Sequence, residues 1–162
     1  MDGDADQLFP MIYKTPVTDT ILWDGPESLE AYRQSVELRQ KQAKEGQSHW
    51  FVIVEKASNL PVGSMDVRPE ENKLRGDIGL WIGQPFQSKG YGTQAVKEIV
   101  KYGFEKLRLQ KIEATVFVGN TASRRIFEKN GFQLEGTIRK ATLKRGKLID
   151  EWLFGMIQEQ YS

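Results

Sequence analysis

Asp77-Ile-Gly-Leu-Trp-Ile82, followed closely by Gln87-Ser-Lys-Gly-Tyr-Gly92, decides how this chain is read. The first segment is a short apolar run of strand type. The second is a polar loop with two glycines, which free the backbone to approach a ligand. Beyond it, Ala95, Val96, Ile99, Val100, Gly103 and Leu107 recur near helical spacing, so a helix is predicted over Tyr91–Leu107. A helix start points unpaired N–H groups and the positive end of its dipole at the preceding loop. Strand, glycine loop and helix together make an anion site suited to a phosphate or pyrophosphate.

Upstream, His49–Lys56 and Val62–Arg68 read as two more strands, with a turn at Ala57–Pro61 and a polar turn at Pro69–Gly76. Short turns between three successive strands predict an antiparallel meander. Before it, Glu27–Glu45 reads as a helix, with Asp24 able to cap it, Pro26 in its first turn and Gly46 at its end. Downstream, Lys111–Val118 alternates cleanly as a strand. Asn120 can cap a short helix over Thr121–Asn130, ended by Gly131. Phe132–Glu135 and Lys147–Ile157 read as closing strands, joined by a polar hairpin containing Arg145-Gly146. The order predicts an α+β, or mixed α/β, sheet with helices packed against it.

The 162 residues suit one domain over 1–162, with enough length for a real core. The chain has no Cys, which removes disulfides, thiolate metal sites and a Cys nucleophile. Its single His, His49, sits beside Trp50 and Phe51 and reads as structural; no metal site is expected. A net charge of +1 argues against a general nucleic-acid coat. Charge is nevertheless uneven. Asp2, Asp4, Asp6, Asp19, Asp24, Glu27 and Glu30 face only Lys14 in the first 30 residues, while the segment 121–148 is strongly basic. That basic run reads as a solvated face or as a local site for a phosphorylated ligand. The acidic, polar start is no secretory or transit peptide, and no apolar run is long enough for a membrane span, so a cytoplasmic, membrane-free protein is expected.

Two phosphate readings compete at the glycine loop. Gly90-Tyr-Gly-Thr-Gln-Ala95 matches the GxGxxA dinucleotide pattern, with Glu113 at the distance of a ribose-binding acid. The context disagrees: Gly83–Lys89 separate the strand from the first glycine, Glu113 lies near the start of its strand, and a meander precedes the motif. The second reading is Q-x-x-G-x-G between strand and helix, which resembles the acyl-CoA signature of the GNAT family of N-acetyltransferases. Asp77–Ile82 is similar to the family's fourth strand, and Lys111-Ile-Glu-Ala-Thr-Val116 to its fifth. Asn120-Thr-Ala-Ser123 with Phe127-Glu-Lys-Asn-Gly-Phe132 is similar to the helix and strand that follow. Leu134-Glu-Gly136 through Asp150 resembles the branch of RimJ/RimL-like ribosomal-protein acetyltransferases and spermidine acetyltransferases. The resemblance covers roughly residues 50–157.

The resemblance implies a sheet splayed between the fourth and fifth family strands, with acetyl-CoA as cosubstrate in the gap. Backbone amides of Gln87, Ser88, Lys89, Gly90, Tyr91, Gly92 and Thr93 would hold its pyrophosphate. Leu80, Trp81 and Ile82 would pair with pantetheine through their backbone, one of their N–H groups polarising the thioester. Asn120 and Phe127 match cofactor-contacting positions, and Lys89 and Arg124 are candidates for the 3′-phosphate. Many members carry a Tyr acid where this chain has Phe127; Ser123 matches a hydroxyl that serves that role in the ribosomal branch, so the resemblance implies Ser123 as the acid. The branch's acidic base position holds Thr142 here, so that base does not carry over. Asp77 lies near the start of its strand, where other members of the family place a catalytic carboxylate, and is the candidate base the resemblance implies. The first family strand is short or absent, because Met1–Phe9 reads as the first helix.

The implied function is transfer of acetyl to a primary amine, a protein N-terminus of the ribosomal-protein kind, by direct attack within a ternary complex. A polyamine or another small amine is the alternative acceptor. Phe127 and Thr142 also motivate a non-catalytic acyl-CoA binding module, and the GxGxxA match a nicotinamide-dependent oxidoreductase. Exposed strand edges leave room for a homodimer.

Overall fold

The structure, a computed structural model, describes residues 3–161. Its elements follow the predicted order. Helix α1 (Asp4–Ile12) opens the described chain, and no strand among the described residues precedes β1, as the front of the sequence implied. Helix α2 (Leu29–Lys44) leads into β1 (His49–Glu55), β2 (Leu60–Pro69) and β3 (Arg75–Ile82), an antiparallel meander. Helix α3 (Tyr91–Lys101), β4 (Lys111–Phe117), α4 (Thr121–Lys129), β5 (Gln133–Lys144) and β6 (Lys147–Ile157) complete it. The six strands form one sheet in the order β1-β2-β3-β4-β6-β5. No helix of the described residues is long and apolar enough to cross a membrane.

Two apolar clusters cover the two faces of the sheet. Val96, Ile99 and Val100 of α3 and Phe127 of α4 bury against Val67, Ile78, Ile112 and Phe154 on one face. Ala5, Leu8 and Ile12 of α1 and Tyr32 and Val36 of α2 bury against Trp81 on the other. Burial pushes the Tyr32 hydroxyl up to about 12.

Three boundaries differ from the sequence reading. The cap of α2 is Ser28, whose Oγ accepts from Ala31 N–H at 3.1 Å, and not Asp24, which is engaged by Lys144. Helix α3 ends its regular turns at Lys101 and continues as a wider turn over Tyr102–Lys106, with Leu107 N–H donating to Tyr102 O at 3.1 Å. Strand β5 does not stop at Glu135 but runs to Lys144. Most of its residues are exposed, and two irregularities, at Leu134/Gly136 and Ile138/Thr142, break its alternation. The polar hairpin is therefore a two-residue turn, Arg145-Gly146, both with positive φ (49° and 79°), the conformation that joins twisted strands tightly.

That turn explains the uneven charge. Lys144, in the basic run read as a solvated face or a site for a phosphorylated ligand, is only 6% exposed. Its Nζ donates to Leu22 O (3.3 Å), Trp23 O (3.2 Å) and Asp24 Oδ1 (2.6 Å). Arg145 donates to Asp19 Oδ1 at 2.5 Å and to Thr18 Oγ1 at 2.9 Å. Lys144 holds the Asp24 carboxyl below its ordinary value, mainly through this hydrogen bond. Basic hairpin and acidic N-terminal loop thus clasp each other. Lys144→Met keeps the apolar stem but strands two carbonyls, at a cost of about 1–3 kcal/mol. The melting midpoint should fall by roughly 2–12 °C; an unchanged midpoint would show that the clasp carries no stability.

Candidate active site

Strands β3 and β4 run parallel but pair only over Arg75–Asp77 and Lys111–Glu113. Beyond these residues β3 stays with β2 through Ile82, and β4 stays with β6 through Phe117, so the two separate. A cleft of about 680 Å³ opens between them. Gly83 N–H donates to Val62 O at 2.8 Å, which sets the parity of the β2–β3 ladder. Odd-numbered residues of β3 pair with β2, and Ile78, Leu80 and Ile82 turn their N–H and C=O groups toward the gap. Trp81 therefore pairs its backbone with Ser64, while its side chain, 7% exposed, packs with α1 and α2. Leu80 presents an edge that an extended, amide-bearing ligand can pair with.

At the end of β3 the loop turns back on itself. Gln87 Nε2 donates to Ile82 O at 3.0 Å, anchoring the loop to the strand. Ser88 (φ 61°) and Gly90 (φ 87°) both take the left-handed conformation. Helix α3 begins at Tyr91 with no side-chain cap, and Gln94 N–H donates to Gly90 O at 3.1 Å. The first-turn N–H groups of Tyr91, Gly92 and Thr93 are thereby left open, with empty space over Gly90. An uncapped helix start with open N–H groups fits a diphosphate. The Tyr91 hydroxyl is hydrogen-bonded to Glu55. Lys89 Nζ lies 5.7 Å from the Phe86 ring centre. The dinucleotide pattern fails in this setting: β3 is antiparallel to β2, and Glu113 is held by Arg75 and Lys111 at the start of β4.

The opposite lip is the start of α4. Asn120 Oδ1 accepts from Ser123 N–H at 3.2 Å, capping the helix as predicted. Asn120 Nδ2 donates to Ser123 Oγ at 3.1 Å. With its oxygen accepting from Asn120, the Ser123 hydroxyl keeps its own proton to donate. Phe127, one turn on and 3% exposed, closes the bottom of the cleft against Phe132 and Phe154. Arg124 is occupied by Glu128 (2.7 Å) and lies over the Trp152 ring at 4.8 Å.

Ionisable groups line both walls. Asp77 Oδ2 accepts from Arg68 Nε (3.1 Å) and Nη2 (2.5 Å), and Asp66 Oδ2 accepts from Arg68 Nη1 at 2.9 Å. Burial holds the Asp66 carboxyl above its ordinary value against the opposing pull of Arg68 and Arg39. Arg39, from α2, stacks on Trp50 at 5.6 Å. On the β6 side stands Glu151, 8% exposed, its Oε1 accepting from Thr142 Oγ1 at 2.7 Å. The sequence reading missed Asp66, Arg68 and Glu151. Asp66 and Arg68 had a signal: with Ser64 they put polar groups at alternate positions of an apolar strand. Glu151 had none, because its strand shows no clean alternation. His49 lies outside the cleft, its Nδ1 2.9 Å from the Tyr102 hydroxyl and its pKa lowered by burial.

Comparison with known proteins agrees with this geometry. The family model described as "Acetyltransferase (GNAT) domain" matches residues 1–133. An uncharacterized N-acetyltransferase, p20, of Bacillus licheniformis is 31% identical over 132 residues, 80% of this chain and 74% of that protein. The crystal structure of a GNAT-family acetyltransferase from Bacillus anthracis superposes with a TM-score of 0.87 at 24% identity, covering 98% of this chain and 92% of that one. The apo structure of RimL, a ribosomal L7/L12 α-N-protein acetyltransferase, superposes with a TM-score of 0.84 at 21% identity, over 97% and 86% of the two chains. Splayed strands, an uncapped helix behind a glycine loop and an extended family match lead to one conclusion: the chain belongs to the GNAT acetyltransferase family and is an N-acetyltransferase.

Proposed function

We propose that the protein transfers the acetyl group of acetyl-CoA to the α-amino group of a protein N-terminus, by direct attack within one cleft. Acetyl-CoA supplies an activated acetyl thioester. The open N–H groups of Tyr91, Gly92 and Thr93, with the backbone from Gln87 to Gly90, would take its diphosphate, and the free edge of β3 at Leu80 its pantetheine arm. Leu80 N–H is a donor for the thioester carbonyl, where negative charge grows during attack. Holding amine and thioester together converts encounter entropy into rate.

The observation that carries this reading is the Ser123 hydroxyl, fixed by Asn120 with its proton free, on the lip facing β3. Ser123 is the acid for the leaving sulfur in place of the missing Tyr. Asp77 stays a candidate base through Oδ1, which has no partner among the described residues. Ser123→Ala should lower kcat about 100-fold, the usual scale of acid–base assistance, with acetyl-CoA affinity unchanged. Equal turnover would return Ser123 to a capping role.

The wall of the cleft supports a peptide acceptor. Arg39, in no ion pair among the described residues, lines it and suits a peptide carbonyl, while three carboxylates against two arginines leave room for one ammonium rather than a polyamine's several. A peptide panel compared with spermidine tests the acceptor: reaction with spermidine alone overturns the N-terminus reading. The chain has no Cys, so a thiol reagent reads only released CoA.

A further inference from the structure

We propose that Glu151 is the residue that receives the acceptor's ammonium group and takes its first proton. The inference rests on the acetyl-transfer reading and names the base within that same cleft.

Five charged side chains line the cleft: Arg39 from α2, Asp66 and Arg68 from β2, Asp77 from β3 and Glu151 from β6. From β4 and α4 it is lined by Thr115, Val116, Phe117, Ser123 and Phe127, none of them charged. Asp66 and Asp77 share the Arg68 guanidinium and Arg39 also acts on Asp66, so these two acids are answered by two arginines. Glu151 differs: none of the ion pairs among the described residues includes it. It is nevertheless 8% exposed, the most buried carboxylate of the cleft. A buried carboxylate without a cation is costly, and its cost falls when a ligand supplies the positive charge. Thr142 donates to Oε1, which fixes the carboxylate and leaves Oε2 without a partner among the described residues. The site lacks one cation, and the substrate class is an ammonium.

The proton balance closes. The ammonium gives one proton to Glu151 Oε2. The freed nitrogen lone pair attacks the thioester carbonyl carbon, the C–N bond forms, and the C–S bond breaks with its electron pair on sulfur. A second N–H proton reaches the sulfur through the Ser123 hydroxyl, which donates one proton and accepts another. Glu151 returns its proton to water.

Glu151 also braces the irregular pairing of β5 with β6, where Ile138 and Thr142 flank a register shift. Glu151→Gln separates the two roles, because the amide oxygen still accepts from Thr142 and only the charge is lost. The test compares wild type, Glu151→Gln, Asp77→Asn and Asp66→Asn, using an Ala-Ser-Gly tripeptide amide and following thiol release from pH 6 to 9. A peptide α-amino group titrates near pH 8, so below that pH a base is needed and above it the amine is already neutral. For Glu151→Gln the expected result is a loss in kcat/KM of about 100-fold at pH 6.5, narrowing to less than about tenfold at pH 9. The acetyl-CoA thermal shift stays at the wild-type value. An equal loss at both pH values, or no loss, overturns the assignment, as does the pH-selective loss appearing in Asp77→Asn or Asp66→Asn instead. A wild type that releases no thiol with any amine defeats the transfer reading. Glu151 is then judged by calorimetry of the tripeptide amide with CoA present: a tenfold weaker Kd in Glu151→Gln supports it, and equal behaviour of the two proteins, including no binding by either, overturns it.

Discussion

Gly90→Glu should weaken acetyl-CoA binding about 100-fold or more while leaving the fold intact. Gly90 has φ +87°, and a Cβ built there meets nothing within 4 Å. The substitution therefore costs only the left-handed penalty of a side-chain-bearing residue, about 1–2 kcal/mol. The new carboxylate stands at the uncapped start of α3, where it occupies the N–H groups meant for the diphosphate and repels it. In the wild type, acetyl-CoA at about 100 times its Kd adds about 2.7 kcal/mol, or roughly 5–11 °C in midpoint for a chain of this length. A 100-fold weaker Kd at the same concentration leaves only about 0.4 kcal/mol, a shift of about 1–2 °C. Gly90→Ala imposes the same backbone strain without the charge and should keep most of the ligand shift. A full shift in Gly90→Glu would remove the glycine loop from the binding site.

How much of this was legible follows from which signals are local. The meander could be read because its strands are short, apolar and separated by turn residues. The Asn120 cap was legible because capping chemistry lies within four residues. The splay between β3 and β4 came only with the family resemblance. It depends on two strands that keep different partners, β2 and β6, and no local pattern encodes a pairing that stops. Strand β5 was cut short because exposure on both faces erases its period, and only its bonds to β6 define it. The same blindness hid the chemistry. Asp66 and Arg68 were readable as an alternating polar set, but their link to Asp77 runs between strands. Lys144 meets Leu22 and Asp24 across more than a hundred residues of chain. The two charge-biased ends, each ambiguous alone, become a clasp only in the fold. Glu151 owes its meaning to Thr142 on the neighbouring strand.

Phe127→Ala should be the most damaging single truncation in the cleft. The Phe127 ring is 3% exposed, lies edge-on to Phe132 at 5.3 Å and is stacked near Phe154 at 6.0 Å. Deleting it removes buried surface and leaves a hole between α4 and the sheet, at a cost of about 3–5 kcal/mol. That is a large share of a total stability of about 5–15 kcal/mol. The midpoint should drop by roughly 6–20 °C. A drop under about 2 °C would mean that the ring is not part of the core. The same substitution reports on catalysis, because Ser123 sits one turn earlier on α4 and Phe127 sets the depth of that helix. If the acid is Ser123, kcat should fall as α4 loosens although no ionisable group has been touched. Phe127→Leu, which keeps part of the apolar volume, should lie between wild type and Phe127→Ala in both midpoint and kcat. Parallel ordering of the two quantities would tie the missing tyrosine of this site to a packing role that phenylalanine fills, with the proton supplied from Ser123. A lowered midpoint with unchanged kcat would separate them, and the acid would then have to come from outside α4.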